Sequence, residues 1–142
     1  MRDGDAVRAV IRNTGINQDG RTTTITSPSA DAQKDLMKAC YQACGLDPID
    51  TGYVEAHGTG TQTGDLMEAI AVGEVFGVHR TSDNPILMGS VKTNIGHTEA
   101  TSGLAGVIKV VMALEKALIP PHINYENANP NIPFEDLRIR VS

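Results

Sequence analysis

Two histidines occupy settings rich in glycine and threonine: His57 in Glu55-Ala-His-Gly-Thr-Gly-Thr61 and His97 in Lys92-Thr-Asn-Ile-Gly-His97. Each falls where an apolar or extended stretch gives way to a loop and a helix start, so a side chain can be held rigidly with its tip facing a cavity. Two neutral imidazoles converging there would hydrogen-bond a thioester carbonyl or steady an enolate. His97 precedes a long apolar helical pattern whose positive end disfavours an imidazolium, and a neutral ring is expected. Lys92 adds a cation to the His97 loop. Glu68, at the start of the helix after His57, offers it a partner, and a Lys92–Glu68 ion pair fixing the two loops is one expectation. Either charge standing alone is ordinarily a solvated one.

Competing chemistries are poorly supported. The run Gly58-Thr-Gly-Thr-Gln-Thr-Gly64 is not Gly-x-Gly-x-x-Gly, no Gly-Lys-Ser/Thr follows, and Asp65 would repel phosphate. As a plain turn, its threonines would cap the next helix. A metal site from His57, His97 and Glu68 lacks the short spacings that such ligands show, and no metal is expected. Cys40 and Cys44 fall in the last turn of a helix, on its apolar side, where a thiol packs rather than attacks. His79 and His122 stand beside turn residues without a partner motif and are read as surface or structural.

The elements that must position these groups alternate. Ala6–Arg12 reads as a strand. Asn17–Arg21 is a turn, and Ala30 to Cys44 is a helix closed by Gly45. Thr51–Ala56 is a strand delivering His57, and a helix from Gln62 or shortly after to Phe76 ends at Gly77. Ile86–Met88 is a strand and Gly89–Gly96 a loop. Thr98–Leu118 is the strongest helix, with Leu104, Val107, Ile108, Val111, Leu114 and Leu118 as its apolar face and Pro120-Pro121 as its stop. After the irregular His122–Pro133, Leu137–Val141 is a last strand. Such alternation predicts an α/β fold with helices layered around a mixed, largely parallel sheet.

Composition closes other routes. The chain has 142 residues, 40% hydrophobic and 20% charged, enough for one domain with a core. With no Trp, two Phe and three Tyr, the core must be largely aliphatic, and stacking on bases is a poor prospect. A net charge of −5 offers no basic stripe for phosphates, so no nucleic-acid partner is expected. The apolar stretch Leu104–Leu114 is broken by Lys109 and too short to span a bilayer. Two cysteines in one helix and no apolar leader after Met1 point to a cytoplasmic setting.

Taken together, Val54-Glu-Ala-His-Gly-Thr-Gly-Thr61 with Gly64-Asp65, and Gly89-Ser-Val-Lys-Thr-Asn-Ile-Gly-His97, resemble the β-ketoacyl synthase (ketosynthase) family. The style is that of type I polyketide synthases, the fungal reducing kind among them. Asn17-Gln-Asp-Gly20, Ser27-Pro28, the Glu99–Ala117 helix and the Asn-Pro-rich tail match as well. The resemblance implies a thiolase-like fold of two similar α/β halves, with residues 1–142 covering the end of the N-terminal half and most of the C-terminal half. With half of the fold's packing surface outside these residues, the apolar face of Thr98–Leu118 is expected to lose much of its cover.

It also implies a decarboxylative condensation of a malonyl thioester with an acyl-enzyme thioester, both delivered by an acyl carrier protein. His57 and His97 would be the active-site histidines, Lys92 the active-site lysine and Glu68 its acidic partner. Thr59 and Thr61 would hold the phosphopantetheine arm, and the complete enzyme would be a homodimer. The family's Asp-Thr-Ala-Cys-Ser-Ser-like nucleophile elbow and its later glycine-rich loop do not occur in these residues. The expectation is therefore a partial ketosynthase domain, inactive alone; the alternative is a non-catalytic remnant that at most binds a carrier-protein arm or a partner.

Overall fold

The computed structural model describes residues 3–142. Its elements run α1 (Ala30–Cys44), a 3₁₀ turn (Pro48–Asp50), β1 (Tyr53–Glu55), α2 (Gln62–Val72) continued by a π-helical turn (Gly73–Gly77), β2 (Ile86–Gly89), the short α3 (Lys92–Ile95), a 3₁₀ turn (Glu99–Thr101), α4 (Ser102–Lys116) and β3 (Ile139–Val141).

Local chemistry sets the ends of α1. The Ser29 hydroxyl accepts from the Ala32 amide, and Gly45 closes the helix in the left-handed region at φ 65°, donating back to Tyr41 and Gln42. The three strands form one parallel sheet in the order β1-β2-β3, with Val54 opposite Met88 and Met88 opposite Val141. The α/β expectation holds, and all the ladders described are parallel.

The core lies where α2 and its π-helical extension meet the sheet. Ala69, Val72, Val75, Phe76, Ile86, Ile132 and Ile139 are buried together, with Tyr41 of α1 packed edge-on against Phe76 at 5.2 Å between ring centroids. Close approach dictates one glycine here: a Cβ on Gly77 would sit 2.0 Å from the Leu137 carbonyl oxygen. Arg80 then ties the end of this helix to the chain entering β1, donating to the carbonyls of Phe76, Ile49 and Thr51.

Two expectations are corrected. Ala6–Arg12 forms no strand and joins no sheet. Instead this leading segment is strapped on by side chains: Arg8 pairs with Glu115 of α4 at 2.6 Å, and Asn13 and Asn17 donate to the α1 carbonyls of Cys40 and Ala32. Its β-branched residues favour a strand, yet the described ladders join only β1, β2 and β3. The Gly89–Gly96 loop contains a helical turn, α3. The apolar face of α4 is open, as expected of a helix whose packing surface lies partly outside these residues: Leu104, Val107, Ile108, Leu114 and Leu118 are all exposed, and only Gly106 on this helix is buried. The helix touches the sheet through Gly106 and Lys109, and the leading segment reaches its apolar side only across the cavity that Ala9 and Ile11 share with Val107, Val111 and Leu114. An apolar patch of this extent is characteristic of an interface.

Candidate functional site

The site is built from the tips of two adjacent parallel strands. His57 follows β1 after Ala56, whose amide donates to the Gly89 carbonyl at 2.7 Å and carries the ladder one step further. His97 follows β2 through α3. The two rings meet with centroids 5.4 Å apart at an interplanar angle of 89°. Both side chains are exposed to the open face.

Backbone hydrogen bonds hold each histidine. The Glu68 carboxylate reaches back from α2 to accept from the amides of His57 (2.6 Å) and Gly58 (2.9 Å). Gly58 has φ 49°, and a Cβ there would come within 2.8 Å of the Ser90 side chain, so the turn needs glycine. Ser90, the one buried polar residue among those described, links both loops: its hydroxyl lies 3.4 Å from the His57 carbonyl and accepts from the Lys92 amide at 3.3 Å. His97 Nδ1 accepts from the Glu99 amide at 3.0 Å, an arrangement made possible by the left-handed Glu99 backbone at φ 51°. With Nδ1 an acceptor, the neutral ring carries its proton on Nε2 and presents a donor.

Lys92 lines the same cavity as His57, a space of about 380 Å³ bounded further by Glu55, Gly103, Gly106 and Val111. The expected Lys92–Glu68 ion pair does not form; Glu68 is occupied by backbone amides, and the ion pair in this region is Lys109–Glu55 at 2.8 Å. On the other side of His57 lies a hydroxyl-lined cleft of about 780 Å³, with Thr24, Thr26, Ser27, Thr59, Thr61 and Thr63 in its walls. The Thr59 and Thr61 hydroxyls are 3.4 Å apart. Thr61 stands at the N-cap of α2 but makes no capping bond with its side chain, contrary to the plain-turn reading, so its hydroxyl remains available to the cleft.

Sequence reasoning gave Ser90 no role and read His122 as surface or structural. His122 is half-buried and accepts at Nδ1 from the Ser90 amide at 3.2 Å. Burial lowers its pKa, helped by the Lys109 ammonium. A depressed folded pKa contributes stability above the unfolded value of about 6.5, which is lost as pH falls through that value toward the folded one. Urea midpoints measured at about pH 7.5 and pH 5.5 should therefore fall on acidification, and His122→Gln, which can still accept from Ser90, should flatten that difference. An unchanged slope in the variant would remove His122 as its source.

Cys40 and Cys44 are half-buried on α1, and the Cys44 thiol donates to the Cys40 carbonyl at 3.2 Å. Among the described residues, no three of His, Cys, Asp and Glu gather as a metal site, and no helix is long and apolar enough to cross a membrane.

This arrangement is that of the thiolase-like α/β fold of ketosynthases: the chain superposes on the ketosynthase from module 6 of the bacillaene synthase of Bacillus subtilis 168 with a TM-score of 0.91 and 41% identity, covering 99% of this chain and 25% of that one. The chain belongs to the β-ketoacyl synthase family, matching the C-terminal domain over residues 8–126. Among curated relatives, it is 65% identical over 141 residues to the highly reducing polyketide synthase poxF of Penicillium oxalicum, covering 99% of this chain and 6% of that protein. It is also 55% identical over 141 residues to the squalestatin tetraketide synthase of Phoma sp., covering 99% of this chain and 5% of that protein. The chain thus spans about one-twentieth of the length of these relatives.

Proposed function

We propose that these residues are the histidine-bearing part of a ketosynthase domain in a polyketide synthase of the highly reducing kind, acting on malonyl and acyl thioesters carried by an acyl carrier protein. The observation that carries this reading is the juxtaposition of His57 and His97, in the segments that follow two adjacent strands, with ring centroids 5.4 Å apart and the His97 proton directed to Nε2. Two such donors can share the carbonyl oxygen of a malonyl thioester. As the bond from C2 to the carboxylate breaks and carbon dioxide leaves, its electron pair becomes the enolate, and both N–H groups stabilise the oxygen on which charge builds. The enolate carbon then attacks the acyl thioester on a cysteine, forming the new carbon–carbon bond and releasing the thiolate.

Lys92 supplies positive charge to the cavity beside His57, and Glu68 holds the His57 turn through its two amide bonds. The hydroxyl-lined cleft suits the amides and hydroxyl of a phosphopantetheine arm, with Thr59 and Thr61 as its contacts. In this reading residues 1–142 are one partial domain, the nucleophilic cysteine belongs to another part of the complete enzyme, and that enzyme is a cytoplasmic homodimer.

The test is release of labelled carbon dioxide from malonyl-carrier protein, by this chain alone and by the same residues joined to a ketosynthase segment bearing the cysteine elbow. The joined protein is expected to turn over and the isolated chain to stay at background. Turnover by the isolated chain would overturn the division of labour. Silence from both would leave a non-catalytic remnant as the better description.

A further inference from the structure

Lys109 puts a cation into the apolar run of α4. Its ammonium is 2.8 Å from Glu55 Oε2, with the side chains only 12% and 10% exposed. The same ammonium donates to the Tyr53 hydroxyl at 2.7 Å, and that hydroxyl donates to Glu55 Oε2 at 2.6 Å. The other carboxylate oxygen, Oε1, accepts from the Val91 amide at 2.5 Å. Helix α4 approaches closely enough that a Cβ on Gly106 would lie 3.2 Å from Glu55 Cγ.

We propose that Glu55, Lys109 and Tyr53 form a buried positioning cluster that sets the relative placement of the segments carrying His57, Lys92 and His97. The proposal rests on the reading of those three as site residues. Glu55 lies two residues before His57, Val91 immediately precedes Lys92, and α4 follows His97 through a single 3₁₀ turn. One carboxylate therefore fastens three segments that are remote in sequence. A buried ion pair is a weak source of net stability compared with apolar packing, because desolvation offsets the attraction; directional bonds at both carboxylate oxygens instead fix geometry. Burial and the adjacent carboxylate push the Tyr53 phenol well above its usual range, so the hydroxyl remains a donor.

The experiment uses the complete ketosynthase domain containing these residues and measures malonyl-carrier decarboxylation in Lys109→Met, Glu55→Gln and the double variant. Each single change is expected to lower kcat by about 10²-fold, the scale of an ångström-sized misplacement, with KM within about threefold of wild type. The double variant should be no slower than the slower single, because both changes break one unit. Native kcat in a folded Lys109→Met protein, or losses that multiply in the double variant, would overturn the proposal. If Lys109→Met does not fold, Tyr53→Phe removes one hydroxyl only and should cost about tenfold in kcat; unchanged kcat there overturns it equally. His57→Ala and His97→Ala controls separate the two readings. If they leave decarboxylation intact, the site assignment itself fails; if they abolish it while the cluster variants stay fast, only the positioning role fails.

Discussion

Replacing His97 with alanine in the complete ketosynthase domain is expected to slow malonyl decarboxylation by about 10²–10³-fold, the usual loss when one oxyanion donor is removed. The reason lies in how firmly the ring is assigned its role. The Glu99 amide donates to Nδ1 at 3.0 Å from a backbone held at φ 51°, a conformation that a side chain larger than glycine adopts only under constraint. The proton consequently resides on Nε2, and the ring is a donor before substrate arrives. Such preorganisation acts on the transition state more than on substrate binding, so kcat should carry most of the loss and KM little. His97→Gln, which retains an N–H, should recover part of the rate. Carbon dioxide release within about threefold of wild type in His97→Ala, a difference under 1 kcal/mol, would argue against any role for this ring in the step.

Ile86→Ala should destabilise the protein by about 2–5 kcal/mol, a large part of a domain's usual net stability of about 5–15 kcal/mol. Ile86 is fully buried, opens the central strand, and its amide donates to the Arg138 carbonyl at 2.8 Å. Its side chain joins Val72, Phe76 and Ile139 in the core. Close packing on all sides leaves little room for collapse around the cavity that alanine would create. By contrast, Leu104→Ala on the exposed face of α4, where Leu104 is 66% exposed, should change the stability of this chain by no more than about 0.5 kcal/mol. Paired urea titrations of the two variants measure both, and a loss below about 1 kcal/mol for Ile86→Ala would displace that residue from the centre of the core.

What could be read in the sequence was mostly what is determined locally. Helix α1 was legible almost to the residue because Ser29 and Gly45 carry their own signals. The strands that deliver the two histidine loops were legible from β-branched and apolar runs bounded by turn residues. Their parallel pairing followed from the alternation of strands and helices. The strand expected at Ala6–Arg12 failed because propensity describes a residue's taste for a pleated surface and says nothing of whether a neighbouring edge is present. The turn of α3, Lys92–Ile95, is too short for any periodicity to reveal.

The α4 pattern correctly marked an apolar face but could not say what lies against it. For the site, residue types and motif spacing drew attention to His57 and His97, and the structure places their rings together. The partner chosen for Glu68 was wrong because its true acceptor role is toward backbone amides, which leave no trace in residue identity. The Glu55–Lys109 pair joins residues 55 and 109 through the fold alone, and no local signal announces it.

The parallel pairing of β1 with β2 also acts as a ruler. Neighbouring strands are spaced about 4.8 Å apart by backbone hydrogen bonding whatever their side chains, and the two histidine rings stand at a comparable separation, 5.4 Å. A slip of one residue between Val54 and its partner Met88 would shift one tip by about 3.3 Å and turn alternate side chains to the opposite face. The exposed Thr81–Asn84 turn, by comparison, lies between the Arg80 anchor and β2, outside the ladder. Length variation can accumulate there while the gauge between the histidines stays the same, so drift in the connecting chain need not be felt at the site.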